Sequence, residues 1–276
     1  MGLMHKEQFA AMNEHFRYWP FDYFLDVQKE IGVQSIELWA GAPHAIINDE
    51  WHSSGGMYRK KVESRGMKII ACCSELTFQR QFFFCSYDPL ARDRAMGHYQ
   101  QCIDFTKETG ADILIVNCAG GVLDEDPIRA FYRAVDALKR LGDYADKQNV
   151  TLAVETLTPD GGNITHTLQE LQELLLKVDH PAVKVCLDTE AMACAGESIQ
   201  QWFDAFGEDI VHVHLVDGKP AGRVVWGEGL LPLDSFLASL EANHYAGALG
   251  QNLGGYWEDP ASAAKKNFSA FQPFFK

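Results

Sequence analysis

The sequence predicts an α/β protein, a single-domain (β/α)8 TIM barrel over residues 1–276. Three observations carry that expectation. Short apolar or β-branched runs alternate with longer amphipathic segments about eight times, the rhythm of parallel strands joined by crossover helices. The segments KEIG, KETG and ESRG each place glycine just beyond a charged last turn, a repeated helix stop. Eight such units in a span near 250 residues match barrel closure, whereas an open doubly wound sheet normally uses fewer.

In chain order the strands are expected at 8–13, SIELW (35–39), MKIIACC (67–73), DILIVN (112–117), TLAVE (151–155), VKVCLD (183–188), IVHVHLV (210–216) and GALGQN (247–252). The small residues of the last one suit a closing strand packed tightly beside the first. LARDRAMGHYQQCIDFTKETG (90–110) repeats apolar residues at helical spacing and stops on glycine, and the segment 126–148 opens with Asp-Pro as cap and first turn. Another helix is expected to begin around Leu231. The aromatic connection FQRQFFFCSYDP (78–89) is longer than a minimal loop; it reads either as a packed surface loop or as a lid over the barrel mouth.

Composition narrows the function. The chain of 276 residues is 47% hydrophobic and 22% charged, enough to bury a large core. A net charge of −14 works against any grip on a phosphate backbone, so nucleic acid is not an expected partner. No apolar run approaches the roughly 20 residues needed to span a bilayer, and no basic segment leads an apolar core at the N-terminus. The expected location is cytoplasmic, with no membrane partner. The seven cysteines are odd in number and lack CxxC or Cys/His zinc spacing, which suits reduced core thiols. There is no Walker loop, no GxGxxG after the first strand and no GxSxG.

In a barrel, the C-terminal ends of all strands share one mouth. The polar residues brought there are Glu37, Glu75 just beyond the third strand, Asn117, Glu155, Asp188, His212, His214 and Asn252. A buried carboxylate is costly without a partner, and these strands are read as carrying no cation of their own. Glu155, Asp188 and His214 form an oxygen, oxygen and nitrogen set suited to Mn2+, Mg2+, Co2+ or Zn2+, with positions left open for substrate oxygens. The competing expectation is that a Lys or Arg neutralises each carboxylate. His212, two residues before His214, points to the same face and is expected to support it by hydrogen bonding. Glu37, Trp39 and His44 read either as packing and loop surface or as an aromatic platform with polar partners for a sugar. Glu228 in WGEG reads as part of a tight turn or as a residue presented to the mouth.

Taken together, ELWAGAPHA, Glu155 in ETLTP, Asp188 in CLDT, HVHLVD and GEG resemble the sugar isomerases and epimerases among the xylose isomerase-like TIM barrels, especially the branch of fructoselysine 3-epimerase and the ketose 3-epimerases. The resemblance runs from about residue 20 to 270. It implies a divalent metal held by a Glu, an Asp, a His and a second Glu, with the two Glu residues flanking the sugar and moving protons on opposite faces. By position these are Glu155, Asp188 and His214, and the second Glu falls on Asn252. Six residues after Glu155, where the family places a substrate-contacting Glu, this chain has Gly161; Asn163 still fits that role.

An amide oxygen coordinates a hard cation weakly and accepts no proton at neutral pH. Because each acid/base group contributes about 10²–10⁴-fold, two-face epimerisation is expected to be crippled here. One-base isomerisation through Glu155 survives that argument. The expected function is thus a metal-assisted isomerase or epimerase acting on a ketose or sugar derivative through an enediolate. The alternative is a catalytically impaired or redirected barrel that binds a sugar or polyol. The resemblance also implies a homo-oligomer, dimer or tetramer. A metal-dependent abasic-site nuclease on the same fold is disfavoured by the acidic charge and by the larger His-rich metal cluster that chemistry uses.

Overall fold

The computed structural model describes residues 2–75, 83–119, 121–161 and 164–276. Eight parallel strands close into a barrel in sequence order: Phe9–Met12 (β1), Ser35–Ala40 (β2), Lys68–Ser74 (β3), Ile113–Asn117 (β4), Thr151–Glu155 (β5), Val183–Asp188 (β6), Ile210–His214 (β7) and Leu249–Gln251 (β8). The enclosing helices are Phe21–Ile31 (α1), Gly55–Glu63 (α2), Pro89–Thr109 (α3), Pro127–Gln148 (α4), Leu168–Val178 (α5), Thr189–Cys194 (α6), Ile199–Phe206 (α7), Leu233–Ala242 (α8) and Pro260–Phe271 (α9). The predicted (β/α)8 barrel is the observed fold.

Local chemistry sets the element ends. Asp88 and Asp126 accept hydrogen bonds from Leu90 N and Ile128 N, with proline in the first turn of α3 and α4. Gly32 and Gly110 close α1 and α3 in the left-handed region, at φ 87° and 83°. Two strands are shorter than their apolar runs. Val216 leaves the β7 ladder because its N–H and C=O both bond Thr189 Oγ1. Ahead of β8, the carbonyls of Gly247 and Ala248 are served by Gln8 and Tyr245 side chains.

The outer core lies between helices and strands and includes Phe24, Leu138, Trp202 and Phe271. Inside the barrel a separate cluster holds Met12, Trp39, Ala71, Cys73, Ile115, Ala153 and Cys186. All seven cysteines are free, and only Cys194 is exposed. Alongside this apolar cluster lie three fully buried ionisable residues, Glu37, His212 and His214.

Gly250 makes room for them. A Cβ there would collide with Glu37 Oε2 and sit 2.9 Å from His212 Nε2. Gly250→Ala is therefore expected to destabilise the fold by about 1–3 kcal/mol, measured by urea unfolding; an unchanged midpoint would show that Glu37 can move aside freely.

Candidate active site

Strand register assembles the mouth. Asn117 pairs with Glu155, Asp188 with His214, and His214 with Gly250 across neighbouring strands. As a result Glu155 Oε1, Asp188 Oδ2 and His214 Nδ1 lie within 4.8 Å of one another. His214 Nδ1 is 2.7 Å from Glu155 Oε1 and 3.6 Å from Asp188 Oδ2. Asp188 Oδ1 is used elsewhere, accepting from Glu190 N and Ala191 N at the start of α6, which leaves Oδ2 for the cluster.

Beneath it, Glu37 bridges both histidines. Its Oε1 accepts from His214 Nε2 and its Oε2 from His212 Nε2, each at 2.8 Å. Burial opposes ionisation of Glu37, but the two imidazoles outweigh it and hold the carboxyl well below its usual range. Asp188 is likewise held low, with Arg223 and His214 overcoming burial. Burial lowers His214, yet Cys186 and the carboxylates of Glu37, Glu155 and Asp188 raise it well above an ordinary imidazole.

These donors fit a divalent cation. Two carboxylate oxygens and one imidazole nitrogen converge, and a carboxylate on the far ring nitrogen fixes the ring as it does for metal-bound histidines. The fourth position differs. The Asn252 amide lies between two other groups; assigned in the orientation that satisfies both, it donates from Nδ2 to Glu14 Oε2 at 2.8 Å and accepts at Oδ1 from Arg223 Nη1.

Arg223 is the residue that sequence reasoning missed most clearly. It arrives from the connection after β7 and places Nη2 3.1 Å from Asp188 Oδ2 and 3.4 Å from Glu155 Oε1, with Nε 3.0 Å from Glu190 Oε2. A cation thus does stand beside the two carboxylates, supplied by a loop. Against the expectation that these strands carry no cation, Lys184 lies on β6 itself, but it pairs with Asp209 and not with the buried carboxylates. No periodicity marks Arg223 in the sequence. Glu14 had a signal: it stands two residues beyond β1 and one beyond the expected strand 8–13, so selecting polar residues just past that strand, as for Glu75, would have found it.

Glu14, Trp39, Asn117, Glu155, Arg223 and Asn252 line a cavity of about 280 Å³ that also meets Gly161. This is near the small end of ligand sites. Asn117 Oδ1 is buried with no partner among the described residues. Burial pushes the Glu14 carboxyl up, against the pull of Arg223 and Arg17.

Other expected sugar contacts lie elsewhere. Glu37 is fully buried between His212 and His214 and bonds both, and His212 makes a supporting hydrogen bond to this carboxylate. His44 is held by Asn13 at Nδ1 and by the Trp19 carbonyl at Nε2, both at 2.8 Å, and lines a different cavity with Tyr58 and Lys61. Through Asn13, which also bonds the Trp39 backbone N–H and C=O, it braces Trp39. Glu228 pairs with Lys266 and accepts from Tyr256, in a turn whose Gly227 and Gly229 N–H groups are capped by Asp217. Asn163 and positions 78–82 of the proposed lid lie outside the described residues; Phe84 and Cys85, later in that connection, are buried.

His15, next to Glu14, is buried with neither ring nitrogen hydrogen-bonded among the described residues. Burial pushes it down to about 3. The unfolded chain takes up the proton first, so stability is full above about 6.5 and falls as pH drops toward 3. Between pH 7 and pH 5 the wild type is expected to lose about 2 kcal/mol more than His15→Leu, read from urea unfolding at both values. Equal losses would remove His15 as the source.

Among the described residues no helix is long and apolar enough to cross a membrane. The model of the family described as xylose isomerase-like TIM barrel matches residues 25–272. Fructoselysine 3-epimerase of Shigella flexneri is 26% identical over 232 residues, 83% of each chain. D-psicose 3-epimerase of Enterocloster bolteae is 25% identical over 264 residues, 88% of this chain and 82% of that one. In fold, a solved L-ribulose 3-epimerase superposes with TM-score 0.81 at 16% identity, covering 96% of this chain and 93% of the other. With the barrel closed and the family model spanning nearly all of it, the chain belongs to the xylose isomerase-like TIM barrels.

Proposed function

We propose that this protein is a sugar isomerase or epimerase that enolises a ketose or ketose derivative, with Glu155 as the base. The observation that carries the reading is the convergence of Glu155, Asp188 and His214 on a small polar cavity at the barrel mouth. The relatives named as fructoselysine and psicose 3-epimerases support the substrate class.

The residues divide the work. Glu155 removes a proton from the carbon next to the carbonyl, and Glu37, through His214, keeps the ring beside it fixed. Trp39 offers an apolar face to sugar C–H groups and Asn117 Oδ1 accepts from a hydroxyl. Arg223 lines the same cavity and, where it is not held by Glu155 and Asp188, donates to sugar oxygens. Glu155, Asp188 and His214 would hold the divalent metal, with Asn252 as a weak fourth ligand in place of its contact with Arg223. When bound, such an ion polarises the carbonyl and stabilises enediolate charge.

The guanidinium beside Glu155 and Asp188 favours a second reading, a barrel that binds a sugar or polyol without turning it over. D-fructose in D₂O with Mn²⁺ separates the two. Deuterium entering at the carbon next to the carbonyl supports enolisation; binding without exchange on any of a panel of ketoses supports the binding barrel.

A further inference from the structure

We infer that Glu14 is the second acid/base group of this site, serving the sugar face opposite Glu155. The inference rests on the enolisation reading above and deepens it. Glu14 follows β1 and Glu155 ends β5. In a closed ring of eight strands, β1 and β5 are four places apart in either direction, so the two carboxylates stand on opposite walls of the mouth. Both line the same cavity of about 280 Å³. A ligand between them presents one face to each.

Among the described residues Glu14 forms no direct ion pair: Arg223 and Arg17 act on it only from further away, and its side chain takes a hydrogen bond from Asn252 Nδ2, on Oε2 at 2.8 Å. Asn252 in turn accepts from Arg223, whose Nη2 reaches Glu155 Oε1 at 3.4 Å. Glu14, Asn252, Arg223 and Glu155 therefore form an arch along one side of the cavity, and the Nδ2 bond that positions Glu14 does not depend on which group Asn252 Oδ1 serves. In this arch the amide positions a carboxyl that can transfer a proton, a step the amide itself cannot perform.

The chemistry balances without a further reactant. Glu155 takes the proton as the C–H bond breaks, and the bonding pair becomes the C=C of the enediolate. The Glu14 carboxyl then gives its proton to the other face of that carbon, forming the new C–H bond. Glu155 is left protonated and Glu14 ionised, and exchange with water restores both. Two-face epimerisation, expected to be crippled by Asn252, is thereby available through a different residue.

The test follows D-fructose in D₂O with Mn²⁺, reading deuterium in recovered D-fructose separately from its C3 epimer, D-psicose. Wild type is expected to show both. In Glu14→Gln, D-psicose should fall by about 10²–10⁴-fold while deuterium still enters D-fructose through Glu155. Glu14→Asp keeps the charge and should give an intermediate ratio of inversion to exchange; it also serves if the Gln variant folds poorly. A ratio unchanged in both variants overturns the inference. So does wild type that exchanges and yields only aldose, a result that leaves enolisation standing. Wild type without exchange on any ketose removes the enolisation reading and the role of Glu14 together.

Discussion

Glu155→Gln is expected to slow solvent exchange of the ketose proton by about 10²–10⁴-fold. The substitution keeps the side chain's volume and an oxygen for Arg223 Nη2, which lies 3.4 Å from Oε1. What it removes is the capacity to accept a proton and one anionic donor from the set with Asp188 and His214. Sugar affinity should change far less than turnover, because the loss falls on the transition state. Metal content should fall in parallel. Exchange followed by NMR in D₂O, with elemental analysis of the same samples, checks both halves. A variant that exchanges at the wild-type rate would falsify the base assignment, and one that retains all its metal would remove Glu155 from the ligands.

Arg223→Gln is expected to show the second large effect, on stability and metal response. The guanidinium touches Glu155, Asp188 and Glu190 together, and its side chain is 23% exposed. Without it, Glu155, Asp188 and Glu190 share a mostly buried site without the guanidinium that touches all three. Removing one partner of a buried ion network costs about 3 kcal/mol or more, which for a chain of this size lowers Tm by on the order of 6–12 °C. The same change frees the oxygens that a divalent ion would use. Mn²⁺ at about 100 times its Kd returns roughly 2.7 kcal/mol by binding only the folded state. Thermal melts in EDTA and in Mn²⁺ should thus diverge for the variant more than for wild type. Equal melting in EDTA, or an equal Mn²⁺ shift in both proteins, would show that Arg223 neither neutralises these carboxylates nor competes for them.

Much of the barrel was legible residue by residue. Apolar runs gave every strand within a few positions because a strand buried on both faces has to be apolar over its length. The Asp-Pro start of α4 and the glycine stops of α1 and α3 marked those helices because they act on their own backbone. Boundaries slipped where a distant side chain intervened, as when Thr189 drew Val216 out of β7. That His212 and His214 face the same way was also legible, since residues two apart on a strand share a face.

By itself, then, the sequence determined the closed barrel and the meeting of Glu155, Asp188 and His214, because parallel strands of known order carry their last residues to one mouth. Only the tertiary structure decided what surrounds them. Glu37 was drawn beneath His214 by a vacancy at Gly250, and His44 was turned away by Asn13 and Trp19. Arg223 entered from a connection whose path follows no repeat, so its position depends on charge pairing with Glu155, Asp188 and Glu190 on segments far from it in the chain. Local pattern fixes which residues can reach the mouth; long-range contacts fix which of them face the ligand.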